Sequence, residues 1–530
     1  MGKLSHALWL EGLANSSSGI SYLDLSRYVL SQNLDDCFNN EKNLQQVTPD
    51  DIKLFAKTYL CQDLSSRVDR VPLKEGQHEV RVQKLAQEQI LEEQIFAAHA
   101  RTAPFVKTGV PSEYPPAEPI VVAFPRADEQ AVLSNGLRVF AIQDTASDIC
   151  SFRLKHRDEE HFATSIDEII LNILGDMLLQ GFPGLTREEI ERKFTENGVR
   201  VSISGTSIAL TSLKHTFYDS LNFLARIILS AEFSEENLAK FKAQKIAALK
   251  QSKDDAISVA RQIRRQRLYP NTVFDWSYDD AIARVESLDV NTLNEYFSRY
   301  FDPRFMTCSA VGNFDPHSFI NFLDETFHDM PSKGEPVKPF ESVKALPGNI
   351  DVSLLRDQVV IMYARQSPIT LTHEDYPAIL VASEIMYARA FNLREETGLF
   401  YIVGSRLAQG DGLLDGVDWI RGHTGPEFLP KAHECFDKFI KKDMRKAIEP
   451  DDLEGAKCAV RSDLAAMACG AYDKANYFIR LDSCRIDSAF YERVLAKINA
   501  LTAEEVTAAV ERYLDAGDDF VRVQVGNIPA

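Results

Sequence analysis

The sequence predicts an α+β fold that contains two whole domains and the end of an earlier one. Helical and strand-like segments occur in separate blocks, a pattern typical of helices packed on one face of an antiparallel-rich sheet. A helix followed by a strand that ends in Val-Gly-Asn occurs twice, in residues 288–313 and 501–527. Asn135-Gly136 stands between two strand-like segments, and this strong hairpin signal marks the opening of the first whole domain.

The helical part of this pattern occurs three times along the chain. The copies are VTPDDIKLFAKTYL from Val47, LDVNTLNEYFSRYF from Leu288 and LTAEEVTAAVERYL from Leu501. Each copy has a polar start, an amphipathic middle and a closing Tyr that is followed by Leu or Phe. Because the copies lie roughly 200 residues or more apart, they indicate duplicated domains and not a solenoid. Each copy therefore marks the end of a domain.

These marks divide the chain into four segments. We predict that residues 1–76 are the C-terminal tail of a preceding domain. Residues 77–118 are predicted to form a hinge linker, helical at first and then Pro-rich and extended. The two whole domains then span residues 119–334 and 335–530, and we refer to them as the third and fourth domains.

The composition excludes several classes of protein. A net charge of −19 argues against nucleic acid or an anionic membrane as the main partner. No apolar run approaches the roughly 18–20 residues that cross a bilayer, and Glu11 interrupts the apolar segment that a signal peptide would need. The eight cysteines are scattered without a C-x-x-C pair, which is typical of reduced thiols. We therefore expect a cytoplasmic protein, although an export signal could lie on a missing N-terminal half.

The sequence carries no recognisable metal or nucleophile motif. Among the 11 histidines, none lies four residues from another, so neither H-E-x-x-H nor H-x-x-E-H occurs. The histidines of HRDEEH, His156 and His161, are five apart, a spacing that does not bring them to one face of a helix or strand. There is also no G-x-S-x-G, phosphate loop or dinucleotide fingerprint. We predict neither a catalytic residue nor a metal site in this chain.

The segment FNLREETGLFYIVGS, residues 391–405, is the strongest candidate for function. The preceding residues are apolar at helical spacing, and Gly398 stands where a helix would end in a left-handed residue. A strand-like alternation follows, with Tyr401 beside Leu399 and Val403 on one side. Arg394 and Tyr401 could therefore converge. By themselves, however, Arg394 could simply complement the helix dipole, and Tyr401 could be an ordinary strand aromatic.

This segment, LSNGLRV at the opening of the third domain and the recurring Val-Gly-Asn ending resemble the C-terminal half of an M16 zinc metallopeptidase, the pitrilysin and insulinase family. LREETGLFY is close to the family's Leu-Arg-Glu-Lys-x-Gly-Leu-x-Tyr. The resemblance implies tandem M16-type (LuxS/metallohydrolase-like) α+β domains in two hinged halves that close around a peptide. It also places the zinc box H-x-x-E-H in the first domain of the family, outside this sequence.

The resemblance also implies that the third domain has lost its zinc box. The corresponding helix resembles IDEIILNILGDMLLQG, in which Asn172, Gly175 and Asp176 stand at the box positions. An Asn side chain is a poor zinc ligand, and Gly offers no general base. The third ligand of the family, a downstream Glu, would fall in residues 237–253, which contain no carboxylate.

By analogy with the family, Arg394 and Tyr401 would bind substrate. Arg394 would hold the peptide backbone or a carboxylate, and Tyr401 would donate a hydrogen bond to the scissile carbonyl as it becomes negative. Zinc would then come from a partner half with H-x-x-E-H, either a separate chain that forms a heterodimer or a missing N-terminal part. The expected substrates are unstructured peptides. The alternative is a non-proteolytic structural or assembly protein with the same fold.

Overall fold

The computed structural model describes residues 39–61, 64–66, 122–158, 167–180, 182–272, 274–336, 343–409, 416–513 and 519–528, with single helical residues at 4, 8, 84, 87, 90 and 91. The chain forms two units, residues 39–119 and residues 1–38 with 120–530. In the first unit, α1 is Asn40–Gln46 and α2 is Pro49–Tyr59. Thr48 and Asp51 form a capping box at the start of α2, which explains the helix start in the first copy of the repeat.

The second unit holds two mixed sheets. The first has six strands in the order β1-β2-β6-β3-β5-β4. These strands are β1 Glu129–Val132, β2 Arg138–Gln143, β3 Ile149–His156, β4 Arg200–Ser204, β5 Ser207–Leu213 and β6 Met306–Gly312. The second sheet has five strands in the order β7-β11-β8-β10-β9. These are β7 Gly348–Ser353, β8 Val359–Ser367, β9 Ile402–Gln409, β10 Gly416–Thr424 and β11 Val521–Gly526.

Helices occur in equivalent blocks around the two sheets. Those of the first block are α3 Asp167–Leu178, α4 Arg187–Glu196, α5 Lys214–Leu229, α6 Glu235–Lys253, α7 Ala256–Leu268, α8 Tyr278–Ser287, α9 Val290–Tyr300 and α10 Pro316–Phe327. Those of the second are α11 Tyr376–Thr397, α12 Leu429–Lys441, α13 Pro450–Ala466, α14 Ala471–Ser483, α15 Phe490–Ala500 and α16 Ala503–Tyr513. The prediction of an α+β fold is therefore confirmed.

The two sheets are copies of one topology. Strands β2-β6-β3-β5-β4 correspond in order to β7-β11-β8-β10-β9. The first pair of each set is parallel, and the pairs that follow are antiparallel. The two strands that end in Val-Gly-Asn, β6 and β11, hold the same place, each between a parallel and an antiparallel neighbour. The repeat found in the sequence is thus an interior strand of each sheet, β6 or β11, and the helix before it.

Each sheet is covered on both faces, although the sequence predicts helices on one. Alternate residues of β2 point to opposite faces. Val139 and Ala141 join the core formed with the helices of the third domain, whereas Phe140 and Ile142 contact the core of the fourth domain. Helix α14 of the fourth domain lies against β3 and β6 of the first sheet. Reciprocally, α7 of the third domain lies against β8 and β11 of the second.

Polar contacts fix α14 on the first sheet. Asp482 accepts a hydrogen bond from Arg138 at 2.7 Å and another from the Thr307 hydroxyl. At the other end of the helix, Lys474 contacts Asp144 at 2.6 Å. Helix α14 of the fourth domain is therefore fixed at both ends by residues of the third domain. Within the described ranges, no helix is both long and apolar enough to cross a membrane.

Candidate functional site

Helix α11 ends at the turn that the sequence predicts. Gly398 adopts a left-handed conformation with φ of 63°, and its N–H donates to the carbonyl of Arg394 at 3.0 Å. Nothing lies within 4 Å of where a Cβ would stand on Gly398, so the glycine is required by its conformation and not by crowding. Arg394 thus occupies the last turn of α11, and the chain reverses directly after it.

The side chain of Arg394 projects from this last turn toward solvent. It is 44% exposed, and its Nε lies 3.7 Å from the carboxylate of Glu395, which is more exposed still. The guanidinium also lies 5.8 Å from the ring centre of Phe391, one turn earlier. An exposed ion pair of this kind contributes little to stability. The structure therefore presents Arg394 as an accessible cation.

Tyr401 directly precedes β9, and its side chain is 66% exposed. Its backbone N–H donates to the carbonyl of His423 at 2.9 Å, which joins this residue to the end of β10. The predicted alternation is wrong here. Phe400 is buried, whereas Tyr401 and Ile402 are both exposed. The reason is that Phe400 lies in the turn before the strand, where its ring stacks on Phe436 at 5.2 Å.

Contacts on the core side hold the turn that separates Arg394 from Tyr401. The hydroxyl of Thr424 donates to the carbonyl of Leu399 at 2.7 Å. Gly422 lies so close to Phe400 that a Cβ would stand 2.7 Å from its ring. These contacts anchor the backbone of the turn on both sides of Tyr401, while the side chains of Arg394 and Tyr401 are exposed. An anchored turn with exposed polar groups suits binding of an extended ligand.

Helix α3 is the helix that the family resemblance aligns with the zinc box. Ile169, Ile170, Ile173, Leu174 and Met177 of this helix are buried in the core. Gly175 packs against the turn between β4 and β5. A Cβ at this position would stand 2.8 Å from the carbonyl oxygen of Gly205, closer than real contacts allow. Any larger side chain, a catalytic Glu included, would have to displace that turn.

The other two box positions, Asn172 and Asp176, lie on the same helix. Asn172 is half-buried on α3, and partial burial raises the pKa of the Asp176 carboxyl. Within the described ranges, no group of three His, Cys, Asp or Glu side chains could hold a metal ion. Burial of His156 at the end of β3 lowers its pKa to about 4, and His161 lies outside the described residues.

The sequence interpretation missed a second feature, a cavity of about 630 Å³ between β3 and the helices α13 and α14. Arg153 and Lys155 line it from β3, with Arg157 just beyond the strand. This alternation of basic residues is the one signal in the sequence, since it places their side chains on one face of the strand. The opposite wall belongs to the fourth domain, so pairing of the two could not be read from local patterns.

Comparison with known proteins finds a family match for part of the chain. Residues 287–460 match the family model for the peptidase M16 inactive domain. No curated protein sequence matches the chain. The structure of a peptidase M16 inactive domain from Pseudomonas fluorescens is similar at a TM-score of 0.66 and 18% identity, over 76% of this chain and 98% of that one.

Two further solved structures share the fold. The periplasmic protease PqqL from Escherichia coli has a TM-score of 0.61 at 16% identity, over 99% of this chain and 60% of PqqL. A chain of Complex III2 from Candida albicans has a TM-score of 0.56 at 14% identity, over 75% of this chain and 96% of that one.

Residues 287–460 thus match the M16 inactive-domain family, and the chain shares the fold of these solved structures.

Proposed function

We propose that this chain is the non-catalytic half of an M16-type zinc metalloendopeptidase. It completes a peptide-binding chamber and holds substrate for a zinc site on another chain or on a first half. The observation that carries this proposal is the segment around Gly398, where Arg394 and Tyr401 are exposed on an anchored turn.

The two side chains would have different tasks. The guanidinium of Arg394 presents several N–H donors that match a peptide carbonyl or a carboxylate. The phenol of Tyr401 would donate to the scissile carbonyl oxygen, where negative charge develops in the transition state. Neither group activates water, so hydrolysis depends on zinc and a general base supplied by the partner.

The packing of α3 supports zinc being bound elsewhere. A glutamate at position 175 would have to move the turn at Gly205, and Asn172 is a poor zinc ligand. The third domain would then be a scaffold copy of a catalytic domain. Within this proposal its task is to carry the fourth domain, which presents Arg394 and Tyr401.

The test uses the full chain mixed with a zinc-bearing M16-type half from the same source and an unstructured fluorogenic peptide. We expect zinc-dependent cleavage that Arg394→Ala slows by roughly tenfold or more, because a charge-assisted contact is lost. Tyr401→Phe removes only the hydroxyl and is expected to lower kcat by about 10²–10³.

The matched control is Arg187→Ala on α4. Its guanidinium is 50% exposed and lies 2.6 Å from Glu191, so it resembles Arg394 in exposure and pairing. This control should cleave at the rate of the unaltered chain. Unchanged cleavage by Arg394→Ala would contradict the proposed role of the segment.

The alternative is a non-proteolytic structural or assembly protein, and the likeness to a chain of Complex III2 is the observation that favours it. Under this alternative, the chain would purify in a stable assembly without a zinc peptidase. No mixture with a zinc-bearing half would then cleave peptides, an outcome that separates the two functions directly.

A further inference from the structure

The cavity between the third and fourth domains has the size of a ligand site. Its volume of about 630 Å³ lies within the roughly 300–1,000 Å³ of typical small-molecule pockets. Arg153 and Ser207 line it from the first sheet, whereas Asn476, Arg480 and Ser483 line it from α14. A ligand bound there would contact both domains at once.

Arg153 is held in place while its guanidinium keeps unused donors. Its Nη1 donates to the hydroxyl of Tyr472 at 2.9 Å, and its Nη2 donates to Ser207 Oγ at 3.2 Å. The guanidinium also lies 5.0 Å from the ring centre of Tyr472. Its Nε is buried without an acceptor among the described residues. Because each Nη carries two hydrogens, the fixed side chain keeps N–H groups beyond those used in these two hydrogen bonds.

Ser483 supplies a second donor on the opposite wall. Its hydroxyl is buried and has no hydrogen-bond partner within the described part of the chain. A buried polar group without a partner is unfavourable, so native structures usually satisfy it with protein, water or ligand. Two such groups line this one cavity, one from each domain.

The charges of the lining favour an anion. Four basic side chains line the cavity against two acidic ones, Asp463 and Asp473. Asp463 is exposed, and Asp473 accepts a hydrogen bond from the N–H of Gly470 at 3.2 Å. Arg157 lies 3.9 Å from Asp482, whereas Arg480 donates to the neutral phenol of Tyr491 at 2.7 Å. The lining thus keeps an excess of positive charge.

We propose that this cavity binds a carboxylate. Arg153 offers charged N–H donors and Ser483 one O–H, which suit the oxygens of a carboxylate. The carboxylate belongs either to an acidic peptide or to a small polycarboxylate. This site is separate from the segment around Gly398 and does not depend on the proposed function.

The test is calorimetric titration of the full chain with three probes: citrate, a tetraglutamate peptide and inorganic phosphate. We expect citrate or the peptide to bind, and inorganic phosphate is the probe that separates a carboxylate site from a site for any anion. Arg153→Gln should weaken carboxylate binding by tenfold or more because it removes the charged donor. Ser483→Ala, a smaller change that preserves packing, should weaken it several-fold. Arg187→Gln, an exposed arginine outside the cavity, is the control and should bind as the unaltered chain does.

Each outcome decides the proposal. Binding of citrate that Arg153→Gln abolishes identifies a small polycarboxylate as ligand, and binding of tetraglutamate alone identifies an acidic peptide. The proposal is overturned if neither carboxylate binds, if phosphate binds as tightly, or if both cavity variants bind normally. Thermal melting of Arg153→Gln shows whether it folds, and Ser483→Ala decides the matter if it does not.

Discussion

At the scale of single residues, Gly175 packs where a side chain would not fit. The resemblance to M16 peptidases implies a vacated zinc box here, because glycine carries no functional group. The structure adds a reason that is not local: the backbone of Gly205 occupies the space that a side chain would need. The two residues are distant in sequence, and only the folded chain brings them together. Position 175 is therefore closed to side chains and not merely unused.

The close backbone contact at Gly175 predicts the effect of adding a single methyl group there. Gly175→Ala would place a Cβ 2.8 Å from a backbone oxygen, and we expect a net loss of about 1–3 kcal/mol in the free energy of unfolding, as for overpacked cores. The matched control is Gly455→Ala within α13, where nothing lies within 4 Å. It should stabilise the protein by about 0.5–1 kcal/mol through helix propensity. Urea denaturation measures both, and equal shifts would contradict the packing argument.

Residues 391–405 show what the sequence can and cannot predict about a site. The left-handed Gly398 and the place of Arg394 in the last helical turn follow from local rules, and the structure has both. The burial of Phe400 does not follow, because it depends on stacking with Phe436 of α12. The alternation rule applies only inside a strand, and β9 begins one residue after Tyr401.

At the scale of elements, each domain contributes one helix to the sheet of the other: α7 covers the second sheet and α14 covers the first. This exchange of helices joins the two domains. Both helices could be predicted as helices, since each has an apolar face. Which sheet each covers is a long-range property that no local pattern encodes. Residues of α14 instead complete the open face of the first sheet, as the stacking of Phe478 on Phe140 at 5.5 Å shows. The prediction of helices on one face was incomplete for this reason.

Asp482 of α14 tests how strongly this exchange is held. Its carboxylate is 9% exposed and accepts hydrogen bonds from Arg138 of β2 and Thr307 of β6. Asp482→Asn removes the charge and places an N–H₂ group in the site, so we expect a loss of about 1–3 kcal/mol in the free energy of unfolding. Urea midpoints measure the loss.

The control for this variant is Glu236→Gln, which removes an exposed i,i+4 ion pair with Lys240 on α6. Exposed pairs contribute little, so its urea midpoint should stay unchanged. If Asp482→Asn behaved like Glu236→Gln, the polar contacts between α14 and the first sheet would not stabilise the exchange.

At the scale of the whole second unit, each domain contributes apolar residues to a core of the other. Phe124, Ile142 and Val311 precede or belong to the first sheet, yet they pack in the core of the fourth domain. Ala260 and Leu268 of α7 pack against the second sheet in the same manner. The duplicated topology was predictable from the repeated helix and strand. The contribution of each domain to a core of the other was not predictable, because it depends on contacts between distant parts of the chain.

The exchange of helices between the two domains predicts cooperative unfolding. We expect the two sheets to unfold together, because unfolding either domain would remove a helix that covers the sheet of the other. Native-state hydrogen exchange read by mass spectrometry can follow peptides from β3 and from β8 separately. Both should lose protection at the same denaturant concentration, and Asp482→Asn should shift both midpoints equally. Separate midpoints would show that each domain is stable without the other.

The reciprocal exchange has a consequence for how such a fold could be assembled from a single copy. One copy alone would leave an apolar sheet face open, and a second copy would have to arrive by diffusion to cover it. Placing both copies on one polypeptide turns that encounter into an intramolecular event, at a local concentration set by the connecting segment and not by expression level. Dilution, which would separate two independent copies, then leaves the pair intact.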